Sequence, residues 1–191
     1  MSVETGPIMG EPLPIELANA TYAVRGRLRD GLETVAQLAA WFEQVGPRLA
    51  LPVVPDAVDA GDLALARELR DAIRNLAAAA VNETVPPVAD VETLNRHVRA
   101  APYWRELRWS GAPAASPGSA AAAAAAALSA IAQDAVDLFT GAELANLRAC
   151  RAPGCVLFFV KDHHRRQWCS DACGNRARAA RHHARQAVIT A

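Results

Sequence analysis

The chain has 191 residues, 52% hydrophobic and 21% charged, a balance that excludes a disordered chain and suits one ordinary domain with a small appendage. Scarce aromatics and abundant alanine favour helices over a sandwich of strands. The formal net charge of zero hides a split: residues 1–140 hold 11 basic and 17 acidic side chains, residues 141–191 hold 9 and 3, so −6 faces +6 and the C-terminal part suits a polyanion partner.

Met1 to Gly10 has neither a positive n-region nor an apolar h-region, so no secretory leader is expected. The alanine run Ala120 to Ala127 is too short to span a bilayer. The expectation is a soluble cytoplasmic protein with no membrane partner.

Leu13 to Asn19 is a short apolar run that contains Glu16 and Asn19, and a helix or turn is expected to follow as far as Gly31 with the basic cluster Arg25, Arg27 and Arg29. Glu16, Asn19 and Arg25 either line a ligand pocket or satisfy backbone groups and surface pairs. Thr34 and Gln37 have capping-box spacing, and Leu38, Trp41, Phe42 and Val45 form one apolar stripe before Gly46-Pro47. Leu51 to Asp56 reads as a connector. Asp59 and Asp62 suit the first turn of the next helix, whose inner face is Ala66, Leu69, Ile73, Leu76 and Ala80, with Arg67 and Asp71 as a solvent-side pair. After Pro86-Pro87, Asp90 can cap a shorter helix through Val91, Leu94 and Val98. Tyr103 to Trp109 is expected as a strand, Gly111 to Gly118 as a loop, and Ser119 to Leu138 as a helix. Another helical turn around Leu144 and Leu147 leads into Cys150.

All four cysteines fall in one short stretch: Cys150, Cys155, Cys169 and Cys173. Two close pairs separated by an excursion supply the four thiolates of a tetrahedral zinc site. Pro153-Gly154 permits the sharp turn of a knuckle, Val156 to Val160 suits a strand, and Arg165 to Trp168 can return as a second. Ser170 is a good N-cap for a helix that carries Cys173 in its first turn. Without a leader, disulfides are not expected. Iron would also accept four thiolates, while a catalytic zinc would need an open position. The expected fold is mainly α: a helical N-terminal domain over residues 1–140, then a treble-clef-like finger of knuckle, β-hairpin and helix over residues 141–191, with one structural Zn²⁺.

On the final helix, helical spacing puts Cys173, Ala177, Ala180, Ala184, Ala187 and Val188 on one side, with Arg178, Arg181 and Arg185 opposite. The arginines either meet phosphates or form a solvated face. Asn175 and Arg176 either hold the knuckle or hairpin through backbone carbonyls or reach a phosphate.

Cys173 to Arg176 spells Cys-Gly-Asn-Arg, and with both cysteine pairs, Arg165 to Cys169 and the basic tail the segment resembles the CGNR zinc finger. The N-terminal part resembles the ABATE domain, through Leu17-Ala18-Asn19-Ala20 and the helix around Arg67 to Leu76. The resemblance implies a bacterial transcription regulator linked to stress responses, with the four cysteines as zinc ligands. The expected function is then a zinc-binding regulator whose finger contacts DNA through Arg176, Arg178, Arg181 and Arg185. Its N-terminal domain would sense an unknown small-molecule effector or form a homodimer. The alternative is a ligand-binding or protein-interaction module with a purely structural finger. No P-loop, G-x-S-x-G or H-E-x-x-H occurs, so no catalytic residue is assigned and an enzyme is not expected.

Overall fold

The computed structural model describes residues 3–189, with side chains as far as residue 186. The architecture is mainly α, a helical N-terminal part followed by short hairpins around four cysteines. The core is a bundle of α1 (Leu13–Ala18), α2 (Val35–Val45), α3 (Ala60–Val81), α4 (Val88–Ala100) and α5 (Ala123–Thr140). Leu17, Leu38, Trp41, Phe42, Leu69, Ile73, Leu128 and Ile131 are fully buried at its centre.

Local signals set the two clearest helix starts. At α2, Gln37 N–H donates to Thr34 Oγ1 at 3.2 Å and Thr34 N–H to Gln37 Oε1 at 2.8 Å. At α3, Asp59 and Asp62 close the same reciprocal box at 2.9 and 3.2 Å. The expected stripe of α2 is wholly buried, and so are Ala66, Leu69, Ile73 and Leu76 of α3, with Ala80 half-buried. In α5 the alanines let neighbouring helices approach closely, and Ser129 Oγ donates to Val98 O of α4 at 3.0 Å. That helix starts four residues later than Ser119 and runs to Thr140. α4 starts at Val88 behind Pro87, two residues before the expected cap Asp90. Among the described residues no helix is long and apolar enough to cross a membrane.

Several expectations are corrected. Residues 20–31 do not continue as a helix: β1 (Thr21–Val24) and β2 (Arg27–Asp30) form a hairpin. Its two-residue turn is Arg25-Gly26, with φ of 51° and 76°, the left-handed pair that a tight hairpin turn needs. Arg25, Arg27 and Arg29 recur with the two-residue period of a strand. The expected Arg67–Asp71 pair does not form: Arg67 reaches a tertiary partner, Asp30, at 3.6 Å, and Asp71 accepts from its sequence neighbour Arg70 Nε at 2.8 Å. β3 (Tyr103–Ser110) pairs along its whole length with β4 (Ala112–Ser119), so the expected loop shrinks to a turn at Gly111. The expected helical turn is present at Leu144 as a 3-10 turn over Ala142–Asn146, but Leu147 belongs instead to β5 (Leu147–Ala149).

His97 of α4 is buried, with Nε2 3.3 Å from Glu68 Oε2. Burial pushes its imidazolium below the usual range, against the opposing pull of Glu68. The unfolded chain therefore binds more protons here than the folded one, so stability is full above about pH 6.5 and falls as pH drops below it. Thermal melts across that range check this: the protein should lose more stability on acidification than His97→Gln does.

Candidate metal centre and basic helix

β5 ends at Ala149, and Cys150 follows directly. Cys150 N–H donates to Leu157 O at 2.8 Å, and Cys155 N–H to Ala152 O at 2.9 Å, which closes the knuckle. The chain then enters β6 (Phe158–Val160), antiparallel to β5 with Ala149 opposite Phe158. A turn returns the chain to Cys169. Ser170 then caps α6 (Asp171–Ile189), its Oγ accepting from Cys173 N–H at 3.3 Å.

The four Sγ atoms lie within 4.8 Å of one another, with Cys169–Cys173 at 3.3 Å and Cys155–Cys169 at 3.8 Å. Zinc–thiolate bonds of about 2.3 Å put the sulfurs of a regular tetrahedron about 3.8 Å apart. All four thiols are free, and their spacing is far beyond the roughly 2.05 Å of a disulfide. Hydrogen bonds from the Cys155 and Cys169 thiols hold Cys150 down at about 2, and donation to Cys150 pushes Cys155 up to about 11 and Cys169 up as well. Four sulfurs this close need a cation to ionise together, and a divalent metal supplies that charge. Arg176 adds to it, with Nη2 3.1 Å from Cys173 Sγ. Tyr22, Leu157, Phe159 and half-buried Met9 and Trp168 pack around the thiols.

Arg165 to Trp168 does not form the expected second strand. The outer edge of β6 is already satisfied by side chains from far away in sequence. Asn19 brackets Phe158, donating to its carbonyl and accepting from its N–H, both at 2.9 Å. Glu11 Oε2 accepts from Val160 N–H at 2.9 Å, and Arg166 Nη1 donates to Val160 O at 3.0 Å. Arg166 also pairs with Glu11, donates to Cys169 O at 3.1 Å and lies 4.9 Å from the centre of the Phe159 ring. Arg74 of α3 donates to Val156 O at 2.7 Å and sits over Phe158. The roles of Glu11, Arg74 and Arg166 went unread in the sequence, because Arg74 meets Val156 82 positions away and Glu11 meets Val160 and Arg166 149 and 155 positions away.

Of the three candidate pocket residues, two are buried and one is not. Glu16 is fully buried and accepts from Met9 and Glu11 N–H at 2.8–3.1 Å and from Arg48 at 3.1 Å. Asn19 serves Phe158, and Arg25 is exposed at the hairpin turn. The structure does not bring the three to one cavity.

On α6, Ala177 is buried, but Ala180 and Ala184 are exposed, since the helix leaves the protein body beyond its second turn. Ala187 and Val188 lie outside the described residues. Arg178 pairs with Asn175 Oδ1, and Arg181 Nε donates to Ala177 O at 3.3 Å. Asn175 and Arg176 thus meet Arg178 and a thiolate rather than backbone carbonyls. Gly174 packs closely under the indole: a Cβ there would lie 3.1 Å from the Trp168 ring, a tight contact that the ring would have to shift slightly to accept. Arg178, Arg181 and Arg185 are all exposed, and Arg178 lines a cleft of about 590 Å³ between the 162–168 turn and the start of α6.

Two family models match the chain. That of the ABATE domain, described as "Putative stress-induced transcription regulator", matches residues 11–142, and that of the CGNR zinc finger matches residues 146–186. Among curated proteins none matches. Neither family is enzymatic. The zinc-finger match and the four clustered thiols together make the resident metal a single structural Zn²⁺. With well over half of its length matched, the chain belongs to the ABATE family, and a CGNR zinc finger completes it.

Proposed function

We propose that the protein is a transcription regulator in which the finger, residues 141–191, contacts DNA through α6. The helical domain, residues 1–140, senses a small-molecule effector or pairs with a second copy. DNA as the partner puts its work in the cytoplasm. The reading rests on the state of the arginines. In the N-terminal part the arginines packed on the helical core, Arg48, Arg67, Arg70 and Arg96, each meet a carboxylate, while Arg25, Arg27, Arg29, Arg99, Arg105 and Arg108 have no carboxylate partner among the described residues and are scattered over two hairpins and a helix end. On α6, Arg178, Arg181 and Arg185 are exposed, and among the described residues no carboxylate pairs with them. Their i, i+3, i+7 spacing lines one helix face, which can follow a phosphate backbone. Arg176 belongs to the same basic helix, but its guanidinium faces the thiolates and balances their charge.

Replacement of Arg178, Arg181 and Arg185 by alanine should weaken duplex binding and make the logarithmic salt dependence shallower by up to about 3 units, near 0.9 per phosphate contact. Titrations of both proteins across a salt series measure this. An unchanged slope would remove α6 from the interface. A second reading, a finger that only completes the fold, draws on the bonds from Asn19, Glu11 and Arg74 into β6. It expects no salt-sensitive binding at all.

A further inference from the structure

The β3–β4 ribbon pairs with no other strand among the described residues. Its strands of eight residues make an arm about 27 Å long, exposed from residue 104 to residue 115. The two long edges of the arm differ. β4 carries Pro113 and Pro117, which have no N–H, and a paired strand accepts proline where the nitrogen faces its open side, so that edge is blunted. β3 has no proline, and its outward N–H and C=O groups can take up another strand. The other described strands pair among themselves, β1 with β2 and β5 with β6.

The side chains of β3 are as unsatisfied as its edge. The strand period sorts Arg105, Leu107 and Trp109 onto one face and Trp104, Glu106 and Arg108 onto the other. Leu107 is 71% exposed and Trp109 72%. Arg105 and Arg108 meet no carboxylate among the described residues. Glu106 accepts from Trp104 Nε1 at 2.7 Å through Oε1, and among the described residues Oε2 has no partner.

The run Arg105-Glu106-Leu107-Arg108-Trp109 is complementary to itself in the antiparallel sense. Two copies of β3 side by side about a two-fold axis normal to the sheet run antiparallel and keep each face with its like. Such a pair centres on one residue, which faces its own copy. Centred on Glu106, it sets glutamate against glutamate. Centred on Arg105 or Arg108, it sets arginine against arginine. Centred on Leu107, it sets leucine against leucine, each Glu106 against an Arg108, and each Arg105 against a Trp109 ring. Of these four registers only the last gives every charge a partner.

We propose that the protein forms a two-fold dimer through the open edge of β3, with Leu107 on the axis. Glu106 of each copy pairs with Arg108 of the other, and Arg105 of each lies against Trp109 of the other. The two ribbons become one four-stranded sheet, whereas a two-stranded ribbon with neither face covered is marginal in water. This deepens the pairing part of the proposed function, on which it rests. No DNA enters its test, so its failure leaves DNA contact standing.

Sedimentation of the full zinc-loaded chain over a range of concentrations should show a dimer. Glu106→Arg and Arg108→Glu, each alone, set like charges opposite one another twice and should each raise the dissociation constant about tenfold or more. Circular dichroism and zinc content should stay unchanged, since both positions are exposed. Mixing the two variants should restore the native dissociation constant, because each then supplies the charge that the other lacks. Both substitutions in one chain should restore it as well. Leu107→Lys, which sets two cations on the axis, should weaken the dimer about tenfold without rescue by either variant. A monomer at every concentration would overturn the proposal. So would a dimer indifferent to these substitutions, or single variants that stay weak when mixed.

Discussion

Chelation of the zinc should unfold the finger and leave most of the helical bundle standing, at a lower melting temperature. Structural zinc contributes roughly 10–16 kcal/mol of apparent folding free energy in small modules, more than the few buried side chains of this finger can replace. The residues around the thiols, Tyr22, Ala152, Leu157 and Phe159 with half-buried Met9 and Trp168, make a small apolar cluster. The main core runs from Leu13 to Ala135 and takes no residue from the finger, so its packing does not depend on the metal. The bundle still loses something. Leu147 and Phe158 cover Ile15, Ala77 and Leu138, and their departure exposes that face. Circular dichroism should therefore show the loss of α6, 19 residues, with α3, 22 residues, and α5, 18 residues, retained. Cys169→Ser should reproduce the effect without chelator. Complete loss of helix would mean that bundle and finger unfold as one unit, and an unchanged melt would mean that the metal holds nothing.

Asn19→Ala should destabilise the protein by about 2–6 kcal/mol. The side chain is fully buried and makes two hydrogen bonds of 2.9 Å to the backbone of Phe158. Alanine would leave the N–H and the C=O of Phe158 buried without partners, at about 1–3 kcal/mol each. Asn19→Asp keeps the acceptor for the N–H and turns the donor into a carboxylate oxygen against the carbonyl, so it should be at least as damaging. The same variants should also lower zinc affinity, since β6 carries the chain between the two cysteine pairs. Arg25→Ala, on the exposed turn, should change stability by less than about 0.5 kcal/mol. Urea unfolding and competitive zinc titration measure both effects. Equal behaviour of Asn19→Ala and Arg25→Ala would show that the bracket on Phe158 carries no weight.

Asn19 also marks where sequence reading and structure part. Its residue type and buried surroundings single it out, as they do Glu16, but a polar group beside an apolar run fits a pocket wall and a backbone clasp equally well. Only the approach of Phe158, 139 positions later, decides between them. Glu11 and Arg166 lie 155 positions apart; Arg166 falls in the finger's motif, but its pairing with Glu11 has no sequence signal, because neither residue shows a partner until the other arrives.

What the sequence by itself determined is what depends on short range. The four cysteines at two close spacings define a metal site wherever the rest of the chain goes. The capping boxes at Thr34 and Asp59 and the apolar stripes of α2 and α3 follow from contacts three and four residues apart. What only the tertiary structure decided is pairing and burial. Residues 21–30 become a hairpin because Arg25-Gly26 can turn left-handed and Tyr22 packs into the zinc cluster. β6 pairs with β5 on one edge and is satisfied by Asn19, Glu11 and Arg166 on the other, which leaves no edge for a strand from residues 165–168. The small-residue face of α6 is buried only at Cys173 and Ala177, because among the described residues no other element reaches Ala180 and Ala184. Helical periodicity tells which residues share a face; whether another surface meets that face is a property of the whole fold.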